Sequence, residues 1–336
     1  MLVSIIIPTW NRTDLLGAVL ASLGHQTLPN FKSSVEVLVV DNGSRDNSAA
    51  LAEEWGARVI RFDENAGFAR AVNAGIGAAG GEWILILNND VTLAPDYLMR
   101  LLDEAARTGS DFAAGKILMA NDHRTLEGSF DLVSRGGYAW RCGYGHRDGE
   151  LWSQPRRILW APMTAALFHR RLFESLGALD VSFGSYYEDV DFGLRCAEAG
   201  FQGAYVPDAV VFHVGSATFG KRSARVYYWS ARNQVLLLAK HLDGVTALRG
   251  FWPILVGQTL ALLAGAKHGH FLASAIGKLA ALGPALRELM RPKAHAADAY
   301  RILQQSEREI HDLQSALGFD LYWRIYFMLT GRSRRV

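Results

Sequence analysis

The chain has 336 residues, half of them hydrophobic, with 35 Lys and Arg against 33 Asp and Glu. This composition excludes a disordered chain and suits one large domain or two smaller ones. Its two cysteines, Cys142 and Cys196, form neither a disulfide framework nor a paired metal-ligand spacing, which fits a reducing cytosolic setting.

The near-neutral total hides an asymmetry. Residues 221–336 hold 17 Lys and Arg and 7 Asp and Glu, leaving 18 and 26 for residues 1–220. An acidic front part and a basic back part imply two jobs, the second directed at an anionic surface. Met1 to Trp10 lacks a basic leader and its apolar run stops at Pro8, so no signal peptide is expected.

In chain order, Leu2 to Ile7 reads as a strand ending at Pro8, followed by capping residues and a helix to about Leu23. Val35 to Val40 is a second strand, ending in Asp41-Asn42-Gly43-Ser44, with a helix from about Asp46 to Trp55. Ala57 to Phe62 is a third, and a glycine-containing loop leads from it to a helix over Arg70 to Ala78. The run Trp83-Ile84-Leu85-Ile86-Leu87 then ends abruptly in Asn88-Asn89-Asp90, as expected of a strand buried on both faces. Strands alternating with helices indicate an α/β fold built on a parallel sheet. Such sheets hold ligands at the carboxyl ends of their strands. The Gly-x-Gly-x-x-Gly fingerprint of a dinucleotide fold is missing after the first strand.

Several polar residues stand at those ends. Asp90 is an oxygen ligand suited to Mg2+ or Mn2+, although Asn88-Asn89-Asp90 also has turn composition. Asp41 reads either as a hydrogen-bond acceptor for a nucleotide or as an Asx turn with Asn42-Gly43. Arg70, near a helix start, can meet phosphate oxygens or remain a solvated surface arginine. Further on, Tyr186-Tyr187-Glu188-Asp189-Val190-Asp191 puts three carboxylates into four residues, more than a helix dipole requires. Such crowding would raise at least one pKa and helix N–H groups would lower it, two effects the sequence does not rank, while Asp191 can pair with Arg195 at i, i+4. Residues 121–160 read as a loop-rich insertion with interleaved glycines and aromatics. Trp160 is either a platform for the acceptor sugar or packed in the core.

Ser4 to Arg12, Val39 to Ser44, Asn65-Ala66-Gly67-Phe68, Leu87 to Asp90, Gly177 to Asp180, Tyr187 to Asp191 and His213 together resemble the family 2 glycosyltransferases. The resemblance is closest to bacterial rhamnosyltransferase-like members that build cell-surface polysaccharides. It implies a GT-A fold and inverting transfer from a nucleotide-sugar, with Mg2+ or Mn2+ as cofactor. It also implies that Thr9, Asn11 and Asp41 line the nucleotide pocket; Arg70 and Asn89 are further donor-binding candidates from their positions in the chain. It further implies that Asp90 and His213 hold the metal, although a lone histidine also reads as one hydrogen-bonded in the core, that Asp189 is the base and that Glu188 meets the acceptor. Asn88 departs from the family's Asp-x-Asp signature and leaves Asp90 as its only carboxylate.

Gly215 to Arg222 falls one residue short of a P-loop, because Arg222 replaces the Ser or Thr that would hold Mg2+. A loop closing over the donor diphosphate, with Lys221 or Arg222 as the cation, is the better reading. Beyond it, Arg225 to Leu242 has helical spacing. The apolar stretches Phe251 to Ala266 and Phe271 to Leu286 are each shorter than the roughly 20 residues that cross a bilayer. They suit amphipathic helices lying on an anionic membrane, or a hairpin packed on the catalytic domain or on a second copy in a homo-oligomer. Residues 297–316 and Tyr322 to Leu329 add further helical segments before the basic Arg332-Ser333-Arg334-Arg335.

The expectation is a GT-A catalytic domain over 1–220 and a helical region over 221–336, cytoplasmic and peripheral on the inner face of the cell membrane. The activity expected is metal-dependent, inverting transfer of a hexose or deoxyhexose such as rhamnose. The donor is a dTDP- or UDP-linked sugar, the acceptor a saccharide or lipid-linked glycan, and no nucleic acid is involved. The alternatives are a nucleotidyltransferase and an inactive sugar-binding scaffold.

Overall fold

The computed structural model describes residues 2–215 and 223–331. The P-loop-like segment from Ser216 onward, with Lys221 and Arg222, and the basic run Arg332 to Arg335 lie outside the described residues. The chain divides into two compact units. The first holds Met1–Asp131, Arg141–Gly184 and Glu188–Ala217; the second holds Leu132–Trp140, Ser185–Tyr187 and Thr218–Val336.

The first unit opens with β1 (Val3–Thr9), α1 (Thr13–Gly24), α2 (Phe31–Ser34), β2 (Val35–Asp41), α3 (Ser48–Trp55), β3 (Arg58–Arg61), α4 (Phe68–Ala78) and β4 (Trp83–Leu87). These four strands lie in the order β4-β1-β2-β3, all parallel, as the alternating pattern predicts. β1 continues through Pro8 to Thr9 rather than ending at the proline. Pro8 has no N–H to give, and the ladder to β4 has already stopped at Ile6. Every residue of β4 is buried. One face of the sheet, including Ile5, Ile7, Leu85 and Leu87, packs with Leu16, Val19 and Leu20 of α1. On the other face, Ile6 lies so close to Gly75 of α4 that a side chain there would collide with it. Burial on both faces is what a near-continuous apolar run encodes, worth about 1.5–3 kcal/mol per Leu or Ile.

The chain continues with β5 (Val91–Leu93), α5 (Tyr97–Thr108), β6 (Phe112–Met119), β7 (Leu126–Gly128), β8 (Asp131–Val133), β9 (Ala139–Arg141), β10 (Arg156–Ile158), β11 (Ala165–His169), α6 (Arg171–Leu176), α7 (Glu188–Glu198) and β12 (Gly203–His213). β11 enters antiparallel between β4 and β6, so the full sheet is mixed, in the order β10-β12-β6-β11-β4-β1-β2-β3. β5 pairs with β12, β7 with β6, and β8 with β9 as a separate hairpin.

The second unit holds α8 (Ala224–His241), α9 (Gly244–Arg249), α10 (Phe251–Lys267), α11 (Phe271–Leu289), α12 (Ala296–Leu317) and α13 (Leu321–Thr330). It also holds the tip of the β8–β9 hairpin. Buried Glu307 of α12 takes the Nε–H of Arg135 at 2.9 Å and the hydroxyl of Tyr326 at 2.7 Å. Ser306 Oγ accepts from Val133 N at 2.7 Å. Tyr138 stacks on Tyr322 at 4.5 Å, so this aromatic of the glycine-rich stretch packs inside the unit. Tyr186 and Tyr187 have φ of 65° and 74°, a costly conformation for residues with side chains. Asn233 Nδ2 donates to the carbonyls of Ser185 at 2.8 Å and Tyr186 at 2.7 Å and so braces this bend.

Candidate active site

The carboxyl ends of the parallel strands gather the polar residues. Thr9 ends β1, and its hydroxyl accepts from Asn89 Nδ2 at 2.9 Å. Asn11, left-handed at φ 51°, accepts from Arg45 N at 2.7 Å and donates its own N–H to Ser44 Oγ at 3.0 Å. It thereby ties the loop after β1 to the loop after β2. Asp41 ends β2, is buried, and accepts from Ser44 N at 3.0 Å, so the Asx-type turn is present. Arg70 is exposed in the first turn of α4. An open concavity of about 490 Å3, lined by Arg61, Phe62, Asp63, Glu64 and Ala66, lies just past β3.

Strand register brings Asp90 and His213 together. In the antiparallel β5–β12 ladder His213 faces Val91, and Val214 N donates to the carbonyl of Asp90 at 3.0 Å. The side chains converge, with Nε2 of His213 3.0 Å from Asp90 Oδ1. The opposite ring nitrogen, Nδ1, is buried and 3.3 Å from Glu127 Oε2, an ion-pair distance, with no aligned hydrogen bond among the described residues. Burial alone would disfavour the imidazolium, but the two carboxylates outweigh it and raise the His213 pKa to about 9.

Glu127 was not anticipated from the sequence, nor were Asp131 and Arg141. Along the β6–β7 ladder Ile117 pairs with Gly128 and Leu118 with Leu126, so Glu127 is the extra residue of a bulge. Bulges re-aim side chains beside active sites. Arg141 Nη1 reaches Glu127 Oε2 at 3.4 Å, and its Nε reaches Asp131 Oδ1 at 3.2 Å. A Cβ on Gly128 would collide with the Arg141 stem, so this glycine makes room for the guanidinium. Burial by itself would raise the Glu127 pKa, but Arg141 and His213 bring it below the usual value. For Asp131, burial and the nearby charge of Asp189 prevail over Arg141 and push it up to about 6. Asp189 also acts electrostatically on Arg141. A continuous chain of charges therefore runs from Asp90 through His213, Glu127 and Arg141 to Asp189.

At the start of α7, Glu188 is buried and its Oε2 has no hydrogen-bond partner among the described residues. Burial first and the charge of Asp189 second push its pKa up to about 8. Asp189 is half-buried, and its Oδ1 accepts from Val190 N at 2.9 Å. Asp191 is fully buried in an ion pair with Arg195 at 3.0 Å, the i, i+4 contact expected of a structural residue.

Trp160 requires a correction. It is 1% exposed, its Nε1 donates to the carbonyl of Val190 at 3.1 Å, and Gly193 packs directly on its ring. No face of the indole is left for a sugar, so Trp160 serves as a strut beneath α7.

Asp90 and His213 together offer a divalent cation one hard carboxylate oxygen and one imidazole nitrogen, already adjacent. Among the described residues no group of three or more His, Cys, Asp or Glu side chains is arranged as a metal cage. Octahedral cations in nucleotide sites use one or two protein ligands together with substrate phosphates, so the pair fits that mode.

Comparison with known proteins agrees with this architecture. Residues 4–177 match the family described as Glycosyl transferase family 2. The N-acetylglucosaminyl-diphospho-decaprenol L-rhamnosyltransferase of Mycobacterium tuberculosis is 28% identical over 262 residues, spanning 70% of this chain and 83% of that one. An O-antigen biosynthesis protein of Myxococcus xanthus is 31% identical over 228 residues, 64% of this chain and 17% of the relative. Among solved structures, a Pyrobaculum calidifontis mannosyltransferase in complex with GDP-Man and Mn2+ superposes with a TM-score of 0.54 at 20% identity, covering 97% of this chain and 86% of the other. Residues 1–349 of S. aureus TarS, in complex with UDP-GlcNAc, superpose with a TM-score of 0.58 at 17% identity, covering 100% and 93%. These likenesses establish the GT-A fold, with its mixed sheet and helical C-terminal region.

Proposed function

This chain belongs to glycosyl transferase family 2, and we propose that it performs metal-dependent, inverting transfer of a deoxyhexose or hexose, with rhamnose the first candidate, from a nucleoside-diphosphate sugar. The acceptor we propose is a saccharide or lipid-linked glycan, by analogy with the mycobacterial relative's name. The observation that supports this most is the charge chain joining Asp90 to Asp189. It ties the pair proposed to bind the cation to the carboxylate proposed as the base.

In this reading Thr9, Asn11 and Asp41 hold the nucleoside end of the donor, with Asn89 and Arg70 toward the diphosphate. Asp90 and His213 hold Mg2+ or Mn2+. When bound, such a cation acts as a Lewis acid toward the leaving diphosphate. Single displacement needs a base on the face opposite the leaving group, and Asp189 takes the acceptor hydroxyl's proton. Glu188, held at a pKa of about 8 chiefly by burial, stays protonated near neutral pH and can donate a hydrogen bond to the acceptor. The enzyme acts on the cytoplasmic side, at the inner face of the membrane where a lipid-linked acceptor would be met.

The test is a panel of dTDP-, UDP- and GDP-sugars with Mn2+. Release of a nucleoside diphosphate and a product of inverted anomeric configuration are expected. Release of pyrophosphate from a nucleoside triphosphate would instead make the chain a nucleotidyltransferase, and absence of turnover with retained sugar binding would make it a scaffold.

A further inference from the structure

α11 is amphipathic in an inverted sense. Its buried positions are small: Ser274, Gly277, Ala281 and Ala285. Its large side chains Leu272, Ile276, Leu279, Leu282, Leu286 and Met290 recur every three or four residues and are 51–76% exposed. The small residues have a clear cause. A Cβ on Gly277 would collide with the carbonyl of Tyr228, so α11 lies close against α8 and large groups have no room on that side. Among the described residues of the second unit, nothing packs on these outward leucines strongly enough to bury them. α10, joined to α11 by a three-residue turn, likewise exposes Phe251, Trp252, Leu255 and Leu263. Contiguous exposed apolar surface of this kind marks an interaction site.

Charge indicates the occupant. The 44 residues 244–287 contain no Asp or Glu and four cations, Arg249, Lys267, Lys278 and Arg287. Arg249, Lys267 and Arg287 are exposed, and so is Arg291 just beyond α11. A two-fold contact with a second copy would bring these like charges together, because both partners of such an interface present the same patch. An anionic lipid surface accepts both the leucines and the cations. No helix among the described residues is long and apolar enough to cross a membrane.

We propose that the outer faces of α10 and α11 seat in the interfacial layer of an anionic bilayer, with the helices in the membrane plane. This deepens the membrane location given above and is independent of the transfer chemistry.

The full chain should co-sediment with vesicles of phosphatidylcholine plus phosphatidylglycerol at least about tenfold more tightly than with phosphatidylcholine alone. The pair Leu279→Gln and Leu286→Gln should lose most of this binding. The pair Lys267→Gln and Arg287→Gln should lose the preference for anionic lipid. Both variants should keep the wild-type melting temperature, since all four positions face outward. Equal binding to the two vesicles would overturn the anionic assignment. Failure to bind either vesicle would overturn the proposal, and a dimer that the leucine variant dissociates would assign the face to a second copy. Vesicle binding requires no donor or acceptor, so these outcomes leave the enzymatic reading untouched.

Discussion

Glu127 faces the Nδ1 edge of His213 at 3.3 Å, the ring edge opposite the one that meets Asp90. A carboxylate behind a metal-ligating imidazole fixes the ring and its tautomer, and losing such a partner typically costs 10–100-fold in metal affinity. The bulge that aims Glu127 and the arginine that holds it would then serve the Asp90–His213 pair. Glu127→Gln is therefore expected to weaken Mn2+ binding by about 10–100-fold, and to lower the melting temperature as well, because buried Arg141 loses one of its two carboxylate partners. Titration calorimetry with Mn2+ checks this, and unchanged affinity would reduce Glu127 to a partner of Arg141 alone.

The same contacts predict how metal binding varies with pH. With its pKa raised to about 9 by Asp90 and Glu127 against the opposing effect of burial, His213 is protonated in the free protein at neutral pH. A ligating imidazole must be neutral, so the proton has to leave when the cation enters. Mn2+ affinity is expected to rise about tenfold per pH unit between roughly 7 and 9 and then level off, with about one proton released per ion at neutral pH. Calorimetry in buffers of different ionisation enthalpy measures that proton directly. A flat affinity profile would mean that His213 does not ligate.

These charges also mark where sequence reading stops. β1, β2 and β4 were legible because uninterrupted apolar runs ending in polar residues can be satisfied only by a doubly covered strand. The ends of those strands placed Thr9, Asp41 and Asp90 on one edge. Glu127, Asp131 and Arg141 lie on or beside strands of three residues, too short for any periodicity to declare itself. A faint signal was available: acids at 127 and 131 among Leu126, Phe130 and Leu132 are charges in apolar company, which need a partner. Trp160 illustrates the reverse problem. An indole suits a core as well as a sugar, and only the contact with Gly193 of α7 decides between them.

Asp189 carries the proposed base role, and its isostere tests it cleanly. Asn at this position keeps the size of the side chain and an oxygen for Val190 N, which now donates at 2.9 Å. Asp189→Asn should keep donor affinity and melting temperature while kcat falls about 10²–10⁴-fold, the usual worth of a general base. Near-wild-type turnover would refute the assignment.

Glu188 makes a prediction about stability whose sign runs opposite to that of an ion-paired acid. Burial, aided by Asp189, holds its pKa near 8 in the folded protein, against an ordinary value of 4.5. As pH rises above about 4.5 the unfolded chain gives up this proton while the native state keeps it. This group's contribution to stability therefore falls with pH until about 8, and above that both states are ionised. Glu188→Gln, neutral at every pH and able to donate as the protonated acid does, should remove that slope. Its melting temperature is expected to match wild type near pH 5 and to exceed it at pH 8 by a few degrees, on the order of 1–3 kcal/mol. Thermal denaturation of both proteins across that range measures the difference. A constant offset between the two curves would mean that Glu188 is already ionised in the native site and that the buried carboxyl finds a partner there.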